Sequence, residues 1–244
     1  MWKQLDNYES YSPTTTCYLD GRYVNIVLND VEEFLQEPMY VDLEYNTKGK
    51  LVSTKAWSNL IKLREGMNVI RVVIQATHTS HSALLWLDTI TRVATYTDVR
   101  VEGAIDIYSS IPDIIKMYVE AVTAGMGRYK FAIENYTVAL RTIRKLTGCN
   151  KQGYCNAYVI KEVLDWKTGH NFSLDTDMDV LRFVGAIESI YKRFLDKDTK
   201  PEVEYHGIWL SLGRRKASPN RGLGLLGGVA LGSAISSSRR YGRR

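Results

Sequence analysis

The spacing of the apolar residues changes near residue 110, and this change constrains the fold more than any other feature. Before it, apolar and polar residues alternate over residues 39–45 and 98–108, the pattern of strands with one buried face. Residues 68–77 are rich in β-branched side chains and are typical of a central strand. After it, apolar residues recur at helical spacing, at Ile114, Ile115, Tyr118, Val119 and Val122. The sequence therefore predicts an α+β fold.

Local signals predict several shorter elements. Asp20-Gly21 favours a two-residue turn, which predicts a β-hairpin over residues 15–28. Gly125 and Gly127 weaken the helix that begins near residue 110, so we expect two helices or one kinked helix, the second part covering residues 129–146. The remaining patterns predict helices at 57–63, 157–166 and 177–195, a closing strand at 203–212, and either a helix or a strand at 84–93.

These elements predict one domain with two extensions. Residues 1–14 are polar and tyrosine-rich and are predicted to form an arm. Residues 15–212 are predicted to form a single α+β domain, in which a β-rich part (15–108) packs on a helical part (110–200). Residues 213–244 are predicted to form a flexible, basic, glycine-rich tail.

The tail has eight positive charges and no acidic residue. The whole chain has a net charge of +5, which leaves −3 for residues 1–212. Because arginine binds phosphate through two parallel hydrogen bonds, an arginine-rich tail favours nucleic acid or anionic lipid as a partner, and nuclear import is a third interpretation. The alternative interpretation, a solvated tail that only aids solubility, stays open. The cations are Arg214, Arg215, Lys216, Arg221, Arg239, Arg240, Arg243 and Arg244.

A glycine-rich apolar run lies between the two basic clusters of the tail. Residues 222–227 match the GxGxxG pattern, but neither a preceding strand nor a following acid is present, which excludes a dinucleotide site. The run is instead predicted to dock on a membrane surface or a partner groove, with an incidental glycine-rich tail as the alternative. The docking residues are Leu223, Leu225, Leu226, Val229 and Leu231.

A second basic patch is predicted at the end of the helical segment near residue 146. It consists of Arg141, Arg144, Lys145 and Lys151. These cations are candidates for contact with nucleic acid or lipid. Their alternative role is to stabilise a helix C-terminus through its dipole.

No pattern in the sequence indicates catalysis, a metal or a cofactor. His78 and His81 have no third ligand at a useful spacing and are interpreted as polar turn residues. Cys149 and Cys155 are separated by five residues, too many for a zinc knuckle. An odd number of cysteines, with no secretory signal and no span of about 20 apolar residues, predicts free thiols in an intracellular protein without a membrane span.

The layout and the basic clusters at residues 214–216 (RRK) and 239–244 (RRYGRR) make the chain similar to matrix proteins of plant-infecting rhabdoviruses, which assemble at the nucleus. The resemblance implies a non-enzymatic virion protein that self-associates, bridges the nucleocapsid or its RNA to an anionic membrane, and enters the host nucleus. A non-specific nucleic-acid-binding coat or movement protein is the alternative. An enzyme whose site is scattered through the sequence is a third class.

Overall fold

The structure is a computed structural model, and it describes residues 1–31, 36–48, 50–59, 61–76, 79–101, 111–138, 146–148, 153–195 and 207–213. The described elements in chain order are a 3₁₀ helix (Trp2–Ser10), α1 (Gly21–Val31), β1 (Gln36–Tyr45), β2 (Leu51–Asn59), β3 (Met67–Ala76), β4 (Thr79–Asp88), β5 (Val93–Val101), α2 (Ile111–Val122), β6 (Lys130–Val138), α3 (Cys155–Thr168), α4 (Asp177–Leu195) and β7 (Gly207–Gly213).

The described strands form one seven-stranded sheet in the order β6-β5-β4-β3-β1-β2-β7. β1 pairs with β3 and β5 pairs with β6 in parallel, whereas the other neighbours are antiparallel. The 3₁₀ helix, α1, α3 and α4 share one apolar core with residues of β3 and β4. α2 packs with the sheet in a second core. The predicted α+β fold is confirmed.

Long periodic segments were predicted well. β3 is the middle strand of the sheet, as its β-branched run indicates, and α4 has the predicted bounds of residues 177 and 195. β1, α2, α3 and β7 also lie where the sequence predicts them. The ambiguous stretch 84–93 belongs to β4 and β5 and to the turn between them.

The predicted hairpin at residues 15–28 is wrong, because α1 occupies its second half. The Asp20 carboxylate accepts a hydrogen bond from the Arg22 backbone N–H at 2.9 Å, so Asp20 acts at the start of a helix rather than in a hairpin turn. Tyr23, Val24 and Val27 then fall on one helical face and are buried. The apolar residues of this stretch follow the period of a helix rather than the alternation of a strand.

Two other predicted helices are wrong. Trp57 lies in β2 rather than in a helix at 57–63, and its ring stacks on Tyr40 of β1 with ring centroids 5.6 Å apart. Residues 130–138 form β6 rather than a second helix, and they pair in parallel with β5. Gly125 and Gly127 have φ values of +86° and +91°, so the chain turns there after α2 instead of continuing as a helix.

The segment predicted as an arm packs on the domain. Leu5 and Tyr8 of the 3₁₀ helix are buried, and the Tyr8 hydroxyl donates to the Ser173 carbonyl at 2.5 Å. Gly185 of α4 allows this close approach, since a Cβ at this position would lie 2.2 Å from the Ser12 carbonyl oxygen. Within the described ranges, no helix is long and apolar enough to cross a membrane.

Candidate active site

The pairing of β4 with β5 brings His81 and Asp98 together. The two strands are antiparallel, so His81 near the start of β4 and Asp98 near the end of β5 lie at the same end of the sheet. His81 Nε2 is 2.5 Å from Asp98 Oδ1. The Asp98 side chain is fully buried and that of His81 is 12% exposed. The contact is therefore an ion pair largely shielded from water.

Cys155 is the first residue of α3 and a free thiol. The His81 ring and the Ser82 backbone N–H are placed to stabilise a negative charge on its sulfur. Because Nε2 of His81 faces Asp98, Nδ1 is the ring nitrogen left for the sulfur. His81 thus lies between Asp98, with which it is hydrogen-bonded, and Cys155, which is partly exposed to solvent.

The surroundings of Cys155 favour the thiolate. Burial on its own raises the pKa of the thiol, but the hydrogen bond with His81, its positive charge, the Ser82 N–H and the charge of Arg71 together hold that pKa below its ordinary value. Burial on its own lowers the pKa of His81, but its hydrogen bonds with Asp98 and Cys155 raise it well above its ordinary value. The two shifts favour a thiolate–imidazolium pair.

The start of α3 is fixed by the segment that precedes α1. The Gly153 N–H donates to the Cys17 carbonyl at 3.1 Å, and the Leu19 N–H donates to the Gly153 carbonyl at 3.2 Å. The Tyr154 hydroxyl donates to the Thr16 carbonyl at 2.5 Å. These bonds hold the N-terminus of α3, where backbone N–H groups and the helix dipole further favour a negative charge on the sulfur.

This arrangement is suited to nucleophilic catalysis. A thiolate is a strong nucleophile, an adjacent imidazolium can supply a proton to a leaving group, and a buried carboxylate fixes the imidazole orientation. Across the residues that the structure describes, no group of three or more histidine, cysteine, aspartate or glutamate side chains could hold a metal ion.

The sequence interpretation missed this site. His81 was interpreted as a polar turn residue, which is wrong, because it lies on β4 and bonds Asp98. The prediction of free thiols is right for Cys155 but wrong for Cys17, which is disulfide-bonded. One available signal is a cysteine two residues before the predicted helix at 157–166, since helix N-termini lower thiol pKa values.

The predicted binding residues lie outside the described residues and stay predictions. They are the tail cations Arg214, Arg215, Lys216, Arg221, Arg239, Arg240, Arg243 and Arg244, the docking residues Leu223, Leu225, Leu226, Val229 and Leu231, and the second basic patch of Arg141, Arg144, Lys145 and Lys151. His78 and Cys149 also lie outside the described residues.

No protein-family model and no curated protein matches this chain. Among solved structures, it is similar to the SUMO protease Ulp1 with its catalytic cysteine oxidised to a sulfonic acid (12% identity, 79% of this chain and 96% of that chain, TM-score 0.39). It is also similar to the C-terminal Ulp1 protease domain in complex with Smt3, the yeast orthologue of SUMO (20% identity, 49% of each chain, TM-score 0.33). The Legionella pneumophila effector protein RavZ matches at 11% identity over 75% of this chain and 68% of that chain (TM-score 0.40). A further Ulp1 match extends over only 53% of the Ulp1 chain.

The prediction of a non-enzymatic, matrix-like virion protein is wrong, and so is its coat or movement protein alternative. The structures that the chain matches are the protease Ulp1 and the effector RavZ, not matrix proteins. In the chain itself, His81 lies between Asp98 and Cys155, an arrangement suited to nucleophilic catalysis. The predicted nucleocapsid, RNA, membrane and self-association partners and the nuclear location stay untested.

Proposed function

We propose that this protein is a cysteine-dependent acyl-transfer enzyme that hydrolyses amide bonds in a protein or peptide substrate. The observation that carries the proposal is the His81–Asp98 hydrogen bond beside Cys155, a cysteine at the N-terminus of α3 whose thiolate His81 stabilises. A structural cysteine needs neither a lowered pKa nor a charged histidine beside it. Cys155 as a residue is partly exposed to solvent at the start of α3.

In the first half of the reaction, the Cys155 thiolate attacks the substrate carbonyl carbon, and the C=O π electrons move to the oxygen. Stabilisation of that oxyanion is assigned to backbone N–H groups at the N-terminus of α3. As the intermediate collapses, the carbon–nitrogen bond breaks, and the His81 imidazolium gives its proton to the leaving amine. The product is a thioester of Cys155 and a free amine.

In the second half, neutral His81 removes a proton from water, and the resulting hydroxide equivalent attacks the thioester carbonyl. The carbon–sulfur bond then breaks, which releases the acid and restores the Cys155 thiolate beside the His81 imidazolium. Asp98 keeps its charge throughout. Its role is to hold the ring with Nε2 toward the carboxylate and to stabilise the imidazolium.

The test uses p-nitrophenyl acetate, which acylates activated thiols and releases a coloured product. We expect a burst equal to the enzyme concentration, an acetyl group on Cys155 by peptide mass spectrometry, and subsequent turnover. Cys155→Ser abolishes the burst, and His81→Gln slows acylation and turnover. His170→Gln is the matched control, because the His170 side chain is 59% exposed and lies outside the site. Wild-type Cys155 that acylates no faster than in the unfolded chain refutes the proposal.

The basic tail has a separate role in this proposal. Its eight cations and lack of acids support attachment of the enzyme to a polyanion. Deleting residues 214–244 after β7 leaves the described fold complete, so we expect unchanged acylation of Cys155. Binding to RNA or to vesicles containing phosphatidylserine is expected to fall with salt and to disappear on deletion. Binding that survives the deletion refutes the tether, and the two ligands distinguish phosphate in RNA from phosphate in lipid.

A further inference from the structure

Arg71 is a buried arginine on β3, directly behind the candidate active site. Only 7% of its surface is exposed, and its neighbour across the β3–β4 pair is Leu84. Nη1 donates to the Gly21 carbonyl at 3.1 Å and to Asn25 Oδ1 at 2.8 Å. The guanidinium is therefore fixed on one side by the first turns of α1.

The other guanidinium nitrogen connects the two segments that carry the reactive groups. Nη2 donates to Ser82 Oγ at 3.0 Å and to Asn156 Oδ1 at 3.3 Å. Ser82 directly follows His81, and its backbone N–H helps to lower the pKa of the Cys155 thiol. Asn156 directly follows Cys155. One side chain thus holds both β4 and the N-terminus of α3 at the residues next to the reacting pair.

Among the residues that the structure describes, no carboxylate hydrogen-bonds Arg71. Its four partners are a carbonyl, two amides and a hydroxyl, all neutral, and Nε is buried without a partner among the described residues. An isolated buried cation is costly, and burial lowers the pKa of Arg71 to about 10. The negative groups that oppose this are Cys155 first, then Tyr40 and Asp20. The thiolate is therefore the main counter-charge of Arg71.

The local backbone is adapted to the guanidinium. A Cβ on Gly21 would lie 2.9 Å from Arg71 Nη2, so the absence of a side chain there leaves the space that the guanidinium occupies. The Asn156 side chain is also held from its other end, because Nδ2 donates to the Leu19 carbonyl at 2.7 Å. The position of Asn156, and through it that of Cys155, is thus fixed between Arg71 and the segment before α1.

We propose that Arg71 is a positioning residue for the Cys155 nucleophile: it joins the segments that carry Cys155 and His81 and supplies a second fixed positive charge beside the sulfur. This inference rests on the proposed function for its catalytic meaning. Two cations then share one anion, His81 as the proton donor and Arg71 as a charge that does not titrate near neutral pH. Both cations face the sulfur when the carbon–sulfur bond of the thioester breaks and the thiolate is re-formed.

The test measures the rate at which iodoacetamide alkylates Cys155 as a function of pH, quantified on the Cys155 peptide. Arg71→Met removes both the charge and the hydrogen bonds, and we expect the midpoint of the alkylation profile to rise by about one pH unit or more. Arg22→Met is the matched control, because Arg22 lies beside Gly21 but its side chain is 47% exposed and it pairs with Asp20. The control is expected to keep the wild-type midpoint.

Arg71→Lys separates charge from position. Because the charge stays, we expect the midpoint pH of the alkylation profile in Arg71→Lys to stay close to that of the wild type. Because a single ammonium cannot hold Ser82 and Asn156 together, we expect kcat for p-nitrophenyl acetate to fall about tenfold with little change in KM. A folded Arg71→Met with the wild-type midpoint overturns the inference. If Arg71→Met does not fold, an Arg71→Lys enzyme with wild-type kcat overturns it.

The alkylation midpoint requires no substrate, so it decides the role of Arg71 even if the acyl-transfer proposal fails. A shifted midpoint in Arg71→Met together with no acylation of the wild type supports the Arg71 inference and refutes the enzyme proposal. A burst of acylation in the wild type together with an unshifted midpoint in Arg71→Met supports the enzyme proposal and refutes the Arg71 inference.

Discussion

The charge on Asp98 can be removed with little change in shape by Asp98→Asn. In the native protein His81 Nε2 lies 2.5 Å from Asp98 Oδ1, and the Asp98 side chain is fully buried, so solvent screens this pair little. A hydrogen bond to a charged group contributes about 1.5–3 kcal/mol. Since one pKa unit corresponds to about 1.4 kcal/mol, the substitution lowers the pKa of His81 by about one to two units.

The effect reaches Cys155 because its thiolate depends on a charged His81. As the imidazolium becomes less stable, the pKa of the thiol rises from its lowered value toward the ordinary one. The alkylation profile of Cys155 with iodoacetamide is therefore expected to move to higher pH by about one to two units. At any pH below both midpoints, the rate falls about tenfold for each unit.

Asp88→Asn is the matched control, since the Asp88 carboxylate caps the turn after β4 through Thr91 and Ile90 and does not contact the site. Circular dichroism is the check that both variants are folded. A folded Asp98→Asn protein with the wild-type alkylation profile refutes the argument that Asp98 stabilises the charged form of His81. Equal shifts of the alkylation midpoint in Asp98→Asn and Asp88→Asn would show that the loss of any one negative charge causes the effect, which also refutes the argument.

Three further predictions concern pH and packing. Turnover is expected to rise with pH through the lowered pKa of Cys155 and to fall again as His81 loses its proton above its ordinary range, so a steady-state profile without a fall at high pH contradicts the ion pair. Gly185→Ala is expected to lower the free energy of unfolding, measured by urea denaturation, by about 2–4 kcal/mol, because its Cβ would lie 2.2 Å from the Ser12 carbonyl oxygen. Gly169→Ala is expected to lower it by only about 1 kcal/mol, because Gly169 has a φ of +70° but no atom lies within 4 Å of the added Cβ. Gly21→Ala is expected to raise the Cys155 alkylation midpoint as Arg71→Met does, and an unchanged midpoint indicates that the guanidinium can shift without loss.

The fold was predictable where the local pattern and the tertiary contacts agree. The run 177–195 has both acids in its first turn and cations in its last turn, so its bounds follow from the sequence. Residues 130–138 contain apolar residues at a spacing that suits a helix, but parallel pairing with β5 decides the outcome, and no local signal reports that pairing. Asp20-Gly21 is ambiguous in the same way, since it suits both a hairpin turn and a helix start.

The candidate site was not predictable from spacing. His81 and Asp98 are 17 residues apart on two strands, and Cys155 begins a helix beyond them, so only the folded sheet brings the three together. The charge pattern of the sequence instead distinguishes the tail, whose eight cations and absence of acids are a local feature. Catalytic groups of this kind are recognised by geometry and roles rather than by sequence position.

The bonds between residues 16–19 and the start of α3 have a consequence for the order in which the chain acquires its reactivity. Tyr154 and Thr16 are separated by 138 residues, and contacts of such long range form late in folding because much of the chain must first be ordered. His81, Ser82 and Arg71, which stabilise the Cys155 thiolate, also lie far from Cys155 in the sequence. The unfolded chain therefore carries an ordinary thiol, and the nucleophile appears only in the folded protein.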